Sequence, residues 1–316
     1  MTNYLDFEKP LNALKAKIDI LSKAANPTLE DREELNELRS QLMCLQRNIY
    51  AKLSPWQRIQ VARHPERPTA LAYTNLLFEN FTELHGDRTF ADDPAILGGL
   101  ATLAGQAIMV VAHYKGKTLK ERVKRNFGMP NPEGYRKALR LMKLAEKFNK
   151  PVLALLDSPG GNPGMGAEER GQAQAIAKNL MMMSTLRVPT ISLVIGEGGS
   201  GGALALGVTD RILMLEHSIY SVISPEGCAA ILWGRGDKAP EAADALRITS
   251  HDLLEFGVID EIIPEPTGGA HEDPVGMAEN IVMSLTAHFR KLAAVPVDEL
   301  VDRRYAKFRH IGRFDE

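Results

Sequence analysis

Ile191–Val208 reads ISLVIGEGGSGGALALGV. Ile191 to Ile195 are mostly apolar and predict a short buried strand. Gly196–Gly202 form a glycine run interrupted by Glu197 and Ser200, and the small apolar residues Ala203–Leu206 then open a helix. A strand that feeds such a run and then a helix aims bare N–H groups at one point. The first N–H groups of a helix have no partner inside it, and the helix dipole adds partial positive charge there. With no Cβ on most of these residues, a ligand oxygen can approach the amides closely. The arrangement suits either a phosphate or a developing oxyanion.

Three readings of the run stay open at this level. Gly196-Glu-Gly-Gly-Ser-Gly201 satisfies G-x-G-x-x-G, the dinucleotide fingerprint, and Glu216 follows about 20 residues on. Against a nucleotide fold, the helix after Gly202 has room for only about two turns before Asp210-Arg211. No Lys-Ser/Thr pair follows the glycines, which excludes a P-loop. The third reading is a tight turn that packs a helix on a strand.

The remaining composition narrows the class. The chain has 316 residues, enough for one large domain or two small ones. It is 44% hydrophobic and 25% charged, the balance of a globular protein. A net charge of −2 gives no pull toward nucleic acid or anionic membrane, and no partner of either kind is expected. Cys44 and Cys228 lie far apart, without metal-ligand spacing, and read as reduced thiols. The opening MTNYLDFEKP lacks the features of a secretory signal, and no apolar run approaches the ~20 residues of a membrane span. A cytoplasmic protein without a metal site is expected.

Residues 11–53 predict a helical hairpin. Leu11, Leu14, Ile18 and Leu21 recur at helical spacing, Asn26-Pro27 breaks the helix, and Thr28 with Asp31 caps the next. Leu35, Leu38, Leu42, Leu45 and Ile49 form a narrow heptad stripe, suited to this chain's own body or to another subunit. Pro55–Pro68 reads as a basic connector and Leu71–Leu84 as a helix. Ile96–Leu103 and Ala107–His113 read as strands around a turn at Ala104-Gly105. The basic patch Lys115, Lys117, Lys120, Arg122, Lys124 and Arg125 fits either the phosphates of a nucleotide-bearing substrate or a solvated loop.

Asn131-Pro132 starts a helix whose buried face is Tyr135, Ala138, Leu139, Met142, Ala145 and Phe148. A pattern then repeats. Pro151 precedes the strand Val152–Leu156, a loop over 157–164 and a long helix Ala167–Leu186. Pro189 precedes the strand Ile191–Ile195, the glycine run and a helix. A weaker third unit has strands Ile212–Leu215 and Tyr220–Ile223, then the helix Cys228–Trp233. Asp252–Ile263 reads as a helix turning into a strand, Pro274–Leu292 as a final helix, and the polar tail after Val295 as a segment that wraps a partner. Repeated strand–loop–helix units predict a right-handed coil that brings its glycine loops out on one side, where they line one cleft. This favours an oxyanion cleft over an isolated dinucleotide fingerprint.

Long motifs stand in order along the chain: Asn126-Phe-Gly-Met-Pro130, Pro132-Glu-Gly-Tyr-Arg-Lys-Ala-Leu-Arg-Leu-Met142, Gly166-Ala-Glu-Glu-Arg-Gly-Gln172, Ile195–Ala205, Tyr220-Ser-Val-Ile-Ser-Pro-Glu-Gly-Cys228 and Ile263–His271. By these the chain resembles the carboxyltransferase alpha subunits of bacterial acetyl-CoA carboxylase, from Tyr4 to about Tyr305. The resemblance implies an α/β fold of the crotonase-like (ClpP/crotonase) type, a right-handed superhelix of ββα units with an N-terminal helical hairpin. Residues 1–55 would be the hairpin. Residues 56–316 would be the carboxyltransferase domain, of the CoA carboxyltransferase C-terminal type, with a core of roughly 36–290. The resemblance further implies a heterotetramer of two alpha and two beta chains. It would move a carboxyl group from carboxybiotin, on the biotin carboxyl carrier protein, to acetyl-CoA, giving malonyl-CoA for fatty acid synthesis. A separate biotin carboxylase would consume the ATP.

The same resemblance assigns the biotin-side oxyanion hole to the amides of Gly201 and Gly202. Gly198, Gly199 and Ser200, with Gly160, Gly161, Asn162 and Gly164 of the earlier loop, would line the substrate. The thioester's hole would lie in the beta subunit. The biotin nitrogen serves as base, so no catalytic side-chain pair is required. Asp157 reads as a loop anchor, Glu168 and Glu169 as first-turn acids, and His113, His217, His251 and His271 as structural. One departure bears on acyl specificity: Gly161-Asn162 replaces the family's Ala-Tyr, which removes a ring and points to a larger acyl-CoA as a second possible substrate. A stand-alone crotonase-like hydratase or thioester hydrolase also stays open, as does a non-catalytic scaffold for the biotin carrier.

Overall fold

The computed structural model describes residues 5–23 and 28–312. The hairpin is α1 (Lys9–Ser22) and α2 (Leu29–Tyr50). Thr28 Oγ1 accepts the Asp31 N–H at 3.1 Å, and the Asp31 carboxylate accepts the Thr28 N–H at 2.8 Å, the expected cap. The break at Asn26-Pro27 lies outside the described residues. On α2, Leu38 is buried, while Leu35, Leu42, Leu45 and Ile49 are half-buried.

The stretch that reads as a connector is partly helical: α3 (Pro55–Ala62) starts on a capping box, Ser54 with Gln57, and a first-turn proline. The helix expected over Leu71–Leu84 is shorter. It is α4 (Ala70–Leu77), and the chain turns extended at Phe78. Phe81–Glu83 becomes strand β1, because it finds Ala101, Leu100 and Gly99 as partners. The expected hairpin forms as β2 (Ile96–Leu103) and β3 (Gln106–His113). Ala104 and Gly105 at its tip both have positive φ, 47° and 77°, as a twisted two-residue turn requires.

The body follows as α5 (Leu119–Lys124), α6 (Pro132–Lys147), β4 (Val152–Ser158), α7 (Met165–Glu169), α8 (Gln172–Thr185) and β5 (Thr190–Gly199). On α6 Leu139 is half-buried and Phe148 is exposed, because Leu141 takes a core place instead. The long helix expected over Ala167–Leu186 is two helices, because Gly171 sits at φ 80° and restarts it. Then come α9 (Ser200–Leu204), β6 (Arg211–Leu215), β7 (Ile219–Ser221), α10 (Pro225–Trp233), α11 (Ala239–Leu246), α12 (Ser250–Glu255), β8 (Glu261–Ile263), α13 (Pro274–Ala293) and α14 (Val297–Arg309). The tail expected to wrap a partner is thus largely α14, and its Leu300 and Arg304 are buried against the chain's own body.

The strands pair in the order β1-β2-β3-β4-β5-β6-β8, with β7 also on β5. β1 to β3 are antiparallel and the remaining pairs parallel. The repeat marked by the two prolines becomes structure. Met109 N–H donates to the Pro151 carbonyl at 2.8 Å, and Val152 N–H to the Pro189 carbonyl at 2.9 Å. Pleating sorts the core onto two faces. Leu153, Leu155, Ile191, Leu193 and Ile195 pack with Met277, Ile281, Leu285 and Phe289 of α13. Val152, Ala154, Leu156 and Val194 pack with Ala138, Leu141 and Met142 of α6 on the other side.

Candidate active site

The centre of the site is the far end of β5. All ten residues of this strand are buried. Its first part lies in the main sheet between β4 and β6. Beyond Ile195 the chain stays extended, with Glu197, Gly198 and Gly199 paired to Ile219, Tyr220 and Ser221 of β7. Half of the glycine run is therefore strand, not loop. Neighbours explain the glycines: a Cβ at Gly196 would meet the Asp157 carboxylate at 2.5 Å, one at Gly198 the Tyr220 ring at 2.9 Å, and one at Gly199 the Pro159 carbonyl. Ser200 then takes φ 52°, a strained value for a residue with a side chain, and turns the chain into α9. That helix has five residues, so its dipole adds little, and the N–H groups themselves must carry any anion stabilisation.

The structure brings the two glycine loops together. Gly202 lies directly on the Gly160–Gly161 peptide, where a Cβ would meet Gly161 N at 2.5 Å, and Gly160 faces the Ser200 Cβ. Several amides of the first loop are taken. Gly160 N–H donates to Ser158 Oγ at 3.1 Å, Asn162 N–H to the Pro130 carbonyl at 3.0 Å, and Gly164 N–H to Asn162 Oδ1 at 2.8 Å. The Gly161 N–H has no acceptor among the described residues. Gly201 and Gly202 are the second and third residues of α9, in the first turn, where an N–H has no i−4 carbonyl within the helix to bond. Gly201 and Ser200 also line a mostly apolar cavity of about 320 Å³, walled by Leu204, Ile212, Tyr220, Val222, Leu253 and Phe308. Asn162 turns its amide into the chain, donating from Nδ2 to Asn131 Oδ1 at 2.8 Å.

Behind the loops stands a charged cluster that spacing did not disclose. Asp157 accepts the Glu197 N–H at 3.0 Å and pairs with Lys115 at 2.7 Å. The Glu197 carboxylate takes Arg63 at 2.6 Å and Lys115 at 3.4 Å. Burial alone would raise the Glu197 carboxyl, but Lys115 and Arg63 outweigh it and hold it below its ordinary value. The basic patch thus divides. Lys115 turns inward, Arg125 stacks on the Tyr114 ring at 4.2 Å, and Arg122 walls a cavity of about 240 Å³ with Arg63, Lys115 and Asp157. Asp157 is a loop anchor, as expected. His113 and His271 are held neutral by burial, their pKa values lowered to about 4 and about 3.

The family profile described as "Acetyl co-enzyme A carboxylase carboxyltransferase-like" matches residues 4–312. The acetyl-coenzyme A carboxylase carboxyl transferase subunit alpha of Geobacter metallireducens is 55% identical over 312 residues, 99% of this chain and 98% of that one. Its counterpart in Methylococcus capsulatus is 53% identical over 314 residues, at 99% and 98% coverage. The chain belongs to the acetyl-CoA carboxylase carboxyltransferase alpha-subunit family. It is a carboxyltransferase subunit that works in a complex and acts on an acyl-CoA in a biotin-dependent reaction.

Solved structures place this carboxyltransferase fold. The beta subunit of Pseudomonas aeruginosa geranyl-CoA carboxylase has a TM-score of 0.56 at 17% identity, covering 78% of this chain and 46% of that one. Transcarboxylase 12S has a TM-score of 0.53 at 19% identity, over 72% and 41%. The fold is α/β and crotonase-like, as the resemblance implied. The dinucleotide reading falls with it. A Rossmann fingerprint needs the glycines in a turn before a full helix, whereas here they continue β5 into a second pairing and a single helical turn follows.

Proposed function

We propose that this chain supplies the biotin-side oxyanion hole of an acetyl-CoA carboxylase carboxyltransferase, through the main-chain amides of Gly201 and Gly202. The observation that carries the reading is the meeting of the two glycine loops at the first turn of α9, beside a cavity. Carboxybiotin, on a carrier protein, supplies the carboxyl group, and its freed nitrogen takes the proton that leaves acetyl-CoA. The Gly201 and Gly202 amides hold the ureido oxygen as negative charge gathers on it. Each such donor is worth roughly 3–4 kcal/mol of barrier when set in place before the reaction. Gly198, Gly199 and Ser200 fix the direction of these amides. Gly160, Gly161, Asn162 and Gly164 form the facing wall, and Gly161 offers a further free N–H.

In this reading the complex is a cytoplasmic heterotetramer of two alpha and two beta chains. The beta chain holds the thioester, and a biotin carboxylase recharges the carrier. Residues 1–55 are an appended hairpin and residues 56–316 the carboxyltransferase domain.

The test is reconstitution. This chain mixed with a beta subunit, carboxylated biotin carrier and acetyl-CoA should yield malonyl-CoA, and omission of either chain should abolish the product. Hydration or hydrolysis of an acyl-CoA by this chain alone would replace the reading with a stand-alone enzyme. A kcat/KM higher for propionyl-CoA than for acetyl-CoA would move the substrate to a larger acyl group.

A further inference from the structure

The charged cluster behind the glycine loops has a geometry that bears on the reaction. Asp157 is the penultimate residue of β4, just before the first loop, and Glu197 sits inside the glycine run of β5. In the main sheet these strands pair in simple register, Leu155 with Leu193 and Leu156 with Val194. Beyond Leu156 the register shifts, and Ser158 pairs with Gly198. Regular ladder bonding is lost where the donor loops must be aligned. Other contacts bridge the gap. Glu197 N–H donates to Asp157 Oδ1 at 3.0 Å, and the Lys115 ammonium reaches the same oxygen at 2.7 Å and Glu197 Oε2 at 3.4 Å. Lys115 is four-fifths buried. Its stem lies against Gly128, which has φ 79° and could not carry a side chain there. Arg63 closes the far side, bonding Glu197 at 2.6 Å and Glu226 at 2.6 Å.

We propose that Lys115 is a positioning residue for carboxyl transfer: its ammonium, held between Asp157 and Glu197, fixes the offset between the two loops whose amides face the reacting oxygen. The inference rests on the oxyanion reading above. It departs from the phosphate-binding role that a lysine in a basic patch would suggest. A lysine that binds substrate phosphate acts on KM. A lysine that holds two loops in step acts on kcat, because donors displaced by a fraction of an ångström still admit substrate but stabilise the transition state less well. Both partners of Lys115 are carboxylates of this chain, which fits the second role.

The experiment compares reconstituted complexes carrying Lys115→Met, Lys115→Arg, Asp157→Asn and the Lys115→Met/Asp157→Asn pair, at a temperature where circular dichroism shows each one folded. Lys115→Met should lower kcat about tenfold to a hundredfold, with KM for acetyl-CoA within about twofold. Lys115→Arg should recover most of the loss. The double variant should lose little beyond the worse single one, since both changes break one linkage. An unchanged kcat, a rise confined to KM, or an arginine no better than methionine would overturn the proposal. Should Lys115→Met fail to assemble, the same kcat-against-KM split in Asp157→Asn decides. Gly201→Val run alongside separates the two levels. If it keeps full kcat, the oxyanion reading itself is lost, and if it is inactive while Lys115→Met is unaffected, only the role of Lys115 is lost.

Discussion

Gly201 and Gly202 are neighbours with opposite demands. A Cβ on Gly202 would strike the Gly160–Gly161 peptide, whereas one on Gly201 meets only Ile176, at 3.9 Å. Gly202 is thus a glycine that the chain's own packing requires, and Gly201 is one that the packing leaves free. Gly202→Ala should destabilise the chain by about 1–3 kcal/mol, because backbone cannot move aside as a flexible side chain can. Thermal melting of the two alanine variants checks this: Gly202→Ala should melt several degrees lower and Gly201→Ala close to the parent. Equal melting points would contradict it. The glycine run was legible as a place of close approach, but the reasons for its members were not. Asp157, Tyr220, Pro159 and the Gly160–Gly161 peptide come from other parts of the chain. Glu197 illustrates the same limit. Alone in sequence it interrupts a motif, and only Arg63, Lys115 and Asp157, brought from afar, make it an anchor.

At the level of elements, periodicity and punctuation located most strands and the long helices α6 and α13, since their patterns are local. The misreadings have local causes too. The capping box at Ser54–Gln57 was hidden in a proline-rich stretch, and Gly171 divided a continuous helical pattern. The polar tail docks on its own chain as α14 for a reason that spacing cannot show. Arg304, 1% exposed, pairs with the Asp210 carboxylate at 2.8 Å and donates to the carbonyls of Met183 at 2.6 Å and Leu186 at 2.8 Å. Asp210 in turn accepts the Thr190 N–H at 2.7 Å, so the latch reaches the start of β5. Arg304→Met strands that carboxylate and should cost roughly 3–5 kcal/mol. Hydrogen exchange should then show faster exchange through α14 and the C-terminal end of α8. Unchanged protection there would remove the latch.

For the whole molecule, acid is the vulnerable side. Glu265 is fully buried. Burial alone would raise its carboxyl, but Arg67 outweighs burial and holds it at about 2, against an ordinary 4.5. Burial lowers His113 to about 4 and His271 to about 3, from 6.5. Each group binds protons more weakly folded than unfolded. Stability is therefore fully present above pH ~6.5, falls first as the unfolded histidines protonate, and falls again below ~4.5 as the unfolded Glu265 does. The Glu265 contribution alone is on the order of 3 kcal/mol. The melting temperature should decline steadily from pH 7.5 to pH 2.5, and Glu265→Gln should flatten the part of that decline below pH ~4.5. A melting temperature independent of pH across this range would contradict the assignment.

These scales meet in the parallel part of the sheet, where β4 and β5 carry two glycine loops to one end and α9 presents its first-turn amides there. The most direct measurement of what those amides do is the steady-state rate of malonyl-CoA formation by the reconstituted complex with Gly201→Val. Bulk at that position should obstruct the donors without disturbing the packed backbone under Gly202. The account predicts a kcat lowered about a hundredfold or more, with the complex still assembled. A Gly201→Val complex that turns over at the parent rate would contradict it.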